Sequence, residues 1–202
     1  MTPPKIMVLY THLDSSSMQT QTIKVWDLFI RFFHWSVVIM FTLDYGLIED
    51  EGSGSMHRIL GYAIGILLIL RIIWGFIGST NARFASFFPT PQRIKRHLTD
   101  LKHGQVDPRE GHNPLGGAMV ILLLIMLAVI SLSGWMQTWD QFWGEAWLEE
   151  LHEMAANFTL LLVVIHVSAV IVMTKVTGIP LLRTMLTGKR SGLSVTHHDS
   201  KQ

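Results

Sequence analysis

Four apolar segments, at about 28–48, 57–77, 115–136 and 151–174, dominate this sequence. Each approaches the ~20 residues that a helix needs to cross a bilayer. In hydrocarbon every backbone N–H and C=O must be satisfied within its own segment, so such stretches fold as helices. The pattern predicts an all-α integral membrane four-helix bundle. The third segment is the cleanest, with no charge from Leu115 to Leu132. Composition agrees: charged residues make up 15% of the 202, against about a quarter in soluble domains. One domain is expected at 24–190, after a polar extension at 1–23 and before a disordered tail at 191–202. The first 22 residues hold no apolar stretch long enough for a secretory signal, and Met18 is a candidate start beside Met1.

Lys and Arg set the orientation. Lys5, Lys24 and Arg31 precede or open the first span. Arg83, Arg93, Lys95, Arg96, Lys102 and Arg109 lie between spans two and three, and Lys175, Arg183, Lys189, Arg190 and Lys201 follow span four. The other two connections are acidic, with Glu49, Asp50 and Glu51 in one and Asp140, Glu145, Glu149 and Glu150 in the other. The positive-inside rule therefore puts both termini in the cytoplasm and both acidic connections outside. The run from Thr90 to Leu101 reads as an amphipathic helix on the anionic leaflet or as a solvated basic loop. Asn113 and Pro114 read as the N-cap and first residue of span three. Trp139, Trp143 and Trp147 read as an interfacial belt.

Ionisable residues inside spans are functional candidates, and four histidines lie in or at the ends of spans: His34, His57, His152 and His166. His152 and His166 are 14 residues apart on one helix, hence roughly 21 Å along its axis and on one face. His57 opens span two at the depth of His152. His34 sits in the first turns of span one, at the depth of His166. The sequence thus offers two His–His pairs, one toward each surface. A single metal ion needs three or four converging ligands, which this separation forbids. A flat macrocycle carrying iron needs only two imidazoles, one on each face. Cysteine is absent, so iron–sulfur clusters, disulfides and covalent haem attachment are excluded. Any haem is held non-covalently.

A macrocycle lying against a helix needs small residues a turn from its ligand. Gly61 and Gly65 follow His57, Ala155 and Ala156 follow His152, and Ala169 follows His166. Close helix packing is the alternative for Gly61-x-x-x-Gly65. Haem propionates are anionic and favour basic partners. Arg31 is one turn outside His34, Arg58 adjoins His57, and Arg71 stands near the depth of His34 and His166. Snorkelling to headgroups is the alternative for each.

These residues also form an ordered set of motifs. Val25-Trp26-Asp27, Arg31, His34-Trp35, His57-Arg58-Ile59-Leu60-Gly61-Tyr62, Arg71-Ile72-Ile73-Trp74-Gly75 and Arg83-Phe84 come first. Gly111-His112-Asn113-Pro114-Leu115-Gly116, Leu151-His152-Glu153, His166-Val167 and Met185-x-x-Gly188-Lys189 follow. Over roughly 24–190 the chain resembles the bacterial cytochrome b561 family, which includes the b-type cytochrome subunits of nickel–iron hydrogenases. The resemblance implies two b-type haems, one ligated by His34 and His166 and the other by His57 and His152, the pairing that depth also gives. It implies electron transfer between a periplasmic redox partner (a c-type cytochrome, a dehydrogenase or a hydrogenase) and membrane quinone, as an electron carrier or a quinone-linked oxidoreductase subunit. His112, Arg71 and Lys175 are candidates for the quinone end. A homodimer is compatible with the pattern, and no nucleic-acid partner is expected. The rival readings are a haem-free transporter that uses membrane histidines and a passive anchor for a redox complex. Span three offers a polar route only Ser131 and Ser133.

Overall fold

The computed structural model describes residues 19–47, 54–102 and 114–194. Glu49 to Glu51, Arg109, the Gly111–Asn113 part of the glycine–histidine motif and the residues beyond 194 lie outside the described residues, as does Met18. The chain begins with strand β1 (Gln19–Lys24) and continues into helices α1 (Leu28–Leu47) and α2 (Gly54–Ile77). A short α3 (Phe84–Phe87) and α4 (Pro91–Lys102) lead to α5 (Pro114–Met136) and α6 (Ala146–Thr177). Helix α7 (Leu181–Thr187) and strand β2 (Lys189–Ser194) close it. Helices α1, α2, α5 and α6 are each long and apolar enough to span a membrane.

Local chemistry explains the boundaries. Asp27 caps α1, its Oδ1 accepting the Ile30 N–H at 2.8 Å, as N-cap carboxylates do. Pro91 and Pro114 occupy first helical positions, where a missing N–H costs nothing. Helix α6 ends on Gly178, whose φ of 69° lets its N–H bond Thr174 O, and Pro180 prevents continuation. Helix α6 starts before the apolar segment does because Ala146 to Glu150 are helix formers, although they are too polar to register as lipid-embedded. Leu148 within this extra turn is fully buried, and Gln137 Nε2 donates to its carbonyl at 3.4 Å. The run at Thr90 to Leu101 is helical: Thr90 Oγ1 accepts the Arg93 N–H at 3.3 Å. The Arg93 guanidinium in turn donates to the carbonyls of Ala85, Ser86 and Phe88 around the end of α3.

Backbones pack closely between α1 and α2, α2 and α5, and α5 and α6. A buried cluster of Ile64, Leu68 and Leu127, with Val37 and Met40 against it, joins the first three of these helices. Much of the remaining apolar surface points outward, Phe76 at 69% and Ile66 at 60% exposure among it. Bilayer hydrocarbon accounts for a surface that would be a liability in water. At the end where α2 gives way to α3, the Phe84 ring lies over Gly75, where any Cβ would collide with it, and a Cβ on Gly117 would meet the Phe87 carbonyl. Two glycines thus let α3 wedge against α2 and α5.

The end that carries β1 and β2 has a fold of its own. The strands pair antiparallel, from Gln19 opposite Ser194 to Lys24 opposite Lys189. Residues 19–23 and 191–194, which read in the sequence as part of a polar extension and a disordered tail, thus take part in strands. Pairing between polar strands so far apart in the chain leaves no hydropathy signal. Val25 and Trp26 both donate backbone N–H to Gly188 O, at 2.8 and 3.1 Å. Gly188, at φ 75°, has no room for a Cβ, which would sit 2.7 Å from Trp26 O. Val25, Trp26, Ile30 and Ala82 are buried here against Phe29, Trp74 and Met185.

Asp27 is the polar centre of this ribbon end. Its Oδ2 accepts from Trp74 Nε1 at 3.0 Å and from Ser79 Oγ at 2.5 Å, joining α1 to α2 and to the loop after it. Burial pushes the carboxyl pKa up, but the bonds from Ser79, Ile30 and Trp74 outweigh it and hold the group below its ordinary value. A group with a depressed folded pKa contributes stability that is complete above its unfolded pKa and is lost as pH falls through the folded one. Asp27→Asn is therefore expected to cost about 1–3 kcal/mol at neutral pH. Thermal unfolding in detergent should show the wild type converging on the variant as the medium is acidified below the ordinary aspartate range.

Candidate functional site

The four histidines meet in two pairs. His34 on α1 and His166 on α6 face each other with ring centroids 6.5 Å apart and planes at 54°. His57 on α2 and His152 on α6 do the same at 5.9 Å and 81°. The first pair lies toward the ribbon end; the second lies at the far end, with the last turn of α1 and the end of α5. Both pairings match those expected from depth.

These distances suit a particular ligand geometry. Two imidazoles on opposite faces of one iron, each bonded at about 2 Å, have centroids roughly 6 Å apart. Among the described residues there is no group of three or more His, Asp or Glu side chains able to hold a bare metal ion. A macrocycle that supplies its own four equatorial nitrogens needs only the pair. The helices carrying the paired residues also stand apart: α6 does not approach α1 or α2 as closely as it approaches α5. A Cβ added at Gly61, one turn after His57, would meet nothing within 4 Å, which fits a flat group beside α2. Gly65 behaves differently. A Cβ there would make ordinary van der Waals contact with Ser131 at 3.7 Å, so Gly65 faces α5.

The far-end imidazoles are held by their second nitrogens. His57 Nδ1 lies 2.9 Å from Asp44 Oδ1, and His152 Nδ1 lies 3.0 Å from Ser133 Oγ. Ser133 Oγ is also 2.7 Å from Val129 O and 3.1 Å from Ile130 O, so its one proton is engaged on backbone carbonyls and its lone pair faces His152. Hydrogen on Nδ1 of each ring would satisfy both contacts and leave Nε2 as the nitrogen open to a ligand role. Gly134 completes this wall: a Cβ there would lie 3.0 Å from His152 Cε1. Near the same level Tyr45 Oη donates to Asn157 Oδ1 at 3.0 Å, bridging α1 and α6. At the ribbon end His34 Nδ1 is buried with no hydrogen-bond partner among the described residues.

The three arginines have different surroundings. Arg31 donates to Leu186 O at the end of α7, while its Nε is buried without a partner among the described residues. Arg58 is exposed and reaches Ser55 Oγ at 3.5 Å. Arg71 is 3% exposed, with its guanidinium carbon 5.1 Å from the Phe84 ring centroid and Nη1 unpartnered among the described residues. Sequence reasoning missed Asp44, Ser133 and Gly134 as site residues. Asp44 carried a signal, being an acidic residue inside a span; Ser133 and Gly134 carried none beyond small size.

Four long apolar helices carrying two facing imidazole pairs have the geometry of a helical membrane protein that could accept a flat iron-bearing group. The match to the family described as prokaryotic cytochrome b561 runs over residues 25–188, and the chain belongs to that family. Membership implies b-type haem and haem-based electron transfer across a membrane. No curated protein and no solved structure matches the chain significantly.

Proposed function

We propose that this chain relays electrons across the bacterial inner membrane between membrane quinone and a periplasmic redox partner, using two bis-histidine b-type haems. The facing of His34 with His166 and of His57 with His152, at 6.5 and 5.9 Å, carries the reading. The ribbon end is cytoplasmic, because Lys and Arg cluster there while the far-end connections are acidic. Haem, when bound, supplies a one-electron ferric–ferrous couple. The chain supplies position. Helix α6 gives one ligand to each site, 14 residues apart, which sets the two sites about 21 Å apart along the helix axis. Asp44 and Ser133 fix the far-end rings, and Arg31, Arg58 and Arg71 are the bases available to propionates. Asp140, Glu145, Glu149 and Glu150 give the periplasmic face a negative potential suited to a basic redox protein. Arg71 and Lys175, both at the ribbon end, are the described candidates for the quinone side.

The purified chain is expected to contain two haems by pyridine haemochrome assay and to show b-type reduced bands split into two components. A colourless, haem-free but folded protein would sink the proposal. Quinol-dependent reduction in membranes tests the quinone end separately.

A further inference from the structure

Of the four imidazoles, His57 is the one with a carboxylate within hydrogen-bonding distance among the described residues, Asp44 Oδ1 at 2.9 Å from its Nδ1. Asp44 sits in the last turn of α1, within an apolar segment, its side chain 17% exposed. A carboxylate placed there costs free energy unless it is paired. Arg58, the nearest base in sequence to His57, is engaged with Ser55. The partner that justifies Asp44 in this position is the His57 ring.

We propose that Asp44 is a positioning residue that selectively lowers the reduction potential of the far-end haem, by accepting the Nδ1 hydrogen of His57. This rests on the di-haem reading above. An ionised carboxylate only accepts, so the hydrogen stays on Nδ1 and Nε2 faces the iron site. The negative charge beyond the ring makes Nε2 a stronger donor, as second-shell carboxylates do for metal-bound histidines. A stronger donor favours ferric over ferrous iron, and ligand hydrogen bonding is one of the levers a protein has on haem potential. The change of state is one electron gained or lost at iron; no covalent bond changes and the proton remains on His57. Neither ring of the ribbon-end pair has a carboxylate within hydrogen-bonding distance among the described residues, and His152, in the far-end pair itself, hydrogen-bonds a neutral hydroxyl. The two sites thus differ in ligand strength although both present two histidines.

The test is spectroscopic redox titration of the purified full-length chain carrying Asp44→Asn, which keeps the shape and removes the charge. Both haems should remain. One reduction equilibrium should shift toward the ferrous form by tenfold or more, about 59 mV for one electron, while the other stays in place. Asp44→Glu, which restores the charge, should recover most of the shift. Two loaded haems with both potentials unchanged in Asp44→Asn would overturn the proposal, and so would equal shifts in the Asn and Glu variants. Should Asp44→Asn fail to assemble, the wild type still decides. Ferric near-infrared magnetic circular dichroism should show one of the two haems with imidazolate-like ligation, and identical signatures for both would overturn the proposal. A wild-type chain with no haem overturns the di-haem reading itself and this inference with it.

Discussion

His152→Ala is expected to leave the purified chain with one haem, the ribbon-end one, and His166→Ala with the far-end one alone. On the proposed di-haem reading each site has two histidine ligands, so deleting one would remove half of the axial bonding that holds the group. The sites share helix α6 but no ligand, hence each substitution should reduce total haem by about half and leave the other site's low-spin spectrum intact. The partner substitutions sharpen the test. His57→Ala should reproduce His152→Ala, and the double variant should lose no more haem than either single one, because both act on one site. His34→Ala should likewise reproduce His166→Ala. The facing rings at 5.9 and 6.5 Å make these groupings specific. If His152→Ala retained two bis-histidine haems, the pairing would be wrong, and so would the assignment of α6 as the shared helix.

Hydropathy and periodicity were sufficient to find the spans, because hydrocarbon enforces helices wherever the chain stays apolar for long enough. They also found the four histidines that the fold brings together in pairs. A histidine in a span is costly, and four at two matched depths on three helices leave few arrangements. What remained hidden depends on contacts between elements. Ser133 and Gly134 are ordinary small residues of span three until α5 packs against α6 and brings His152 within 3.0 Å of the serine oxygen. Gly61 and Gly65 look equivalent as a repeated small residue, yet one borders open space and the other touches Ser131. The Asp27 network joins residues 47 to 52 positions apart in the chain, and the β1–β2 ribbon pairs polar segments from opposite ends of the described chain. Neither produces an apolar pattern. Arg31 was legible as a base near His34, but its bond to Leu186 O depends on where α7 folds back.

Arg71→Gln should be the most damaging single change at the ribbon end outside the histidines. A cation buried to 3% exposure in a membrane helix needs compensation worth several kcal/mol. The Phe84 ring beneath it supplies about 2 kcal/mol at most in a desolvated setting. The Asp27 carboxylate is already shared among Ile30, Trp74 and Ser79. On the di-haem proposal, the Nη1 left without a partner among the described residues is assigned to a haem propionate at the His34–His166 level, which has the right charge and fork geometry. On that account Arg71→Gln lowers haem affinity at the ribbon-end site by about 10–100-fold, the scale of other supporting-shell losses, and leaves the far-end haem loaded. Arg71→Lys should recover only part of the affinity, since a point charge cannot reproduce a two-pronged guanidinium bond. A purely structural arginine predicts otherwise: both haems would stay, the melting temperature would fall, and Gln and Lys would differ little in haem content. Haem occupancy titrated in the two variants separates these accounts without reference to electron-transfer activity.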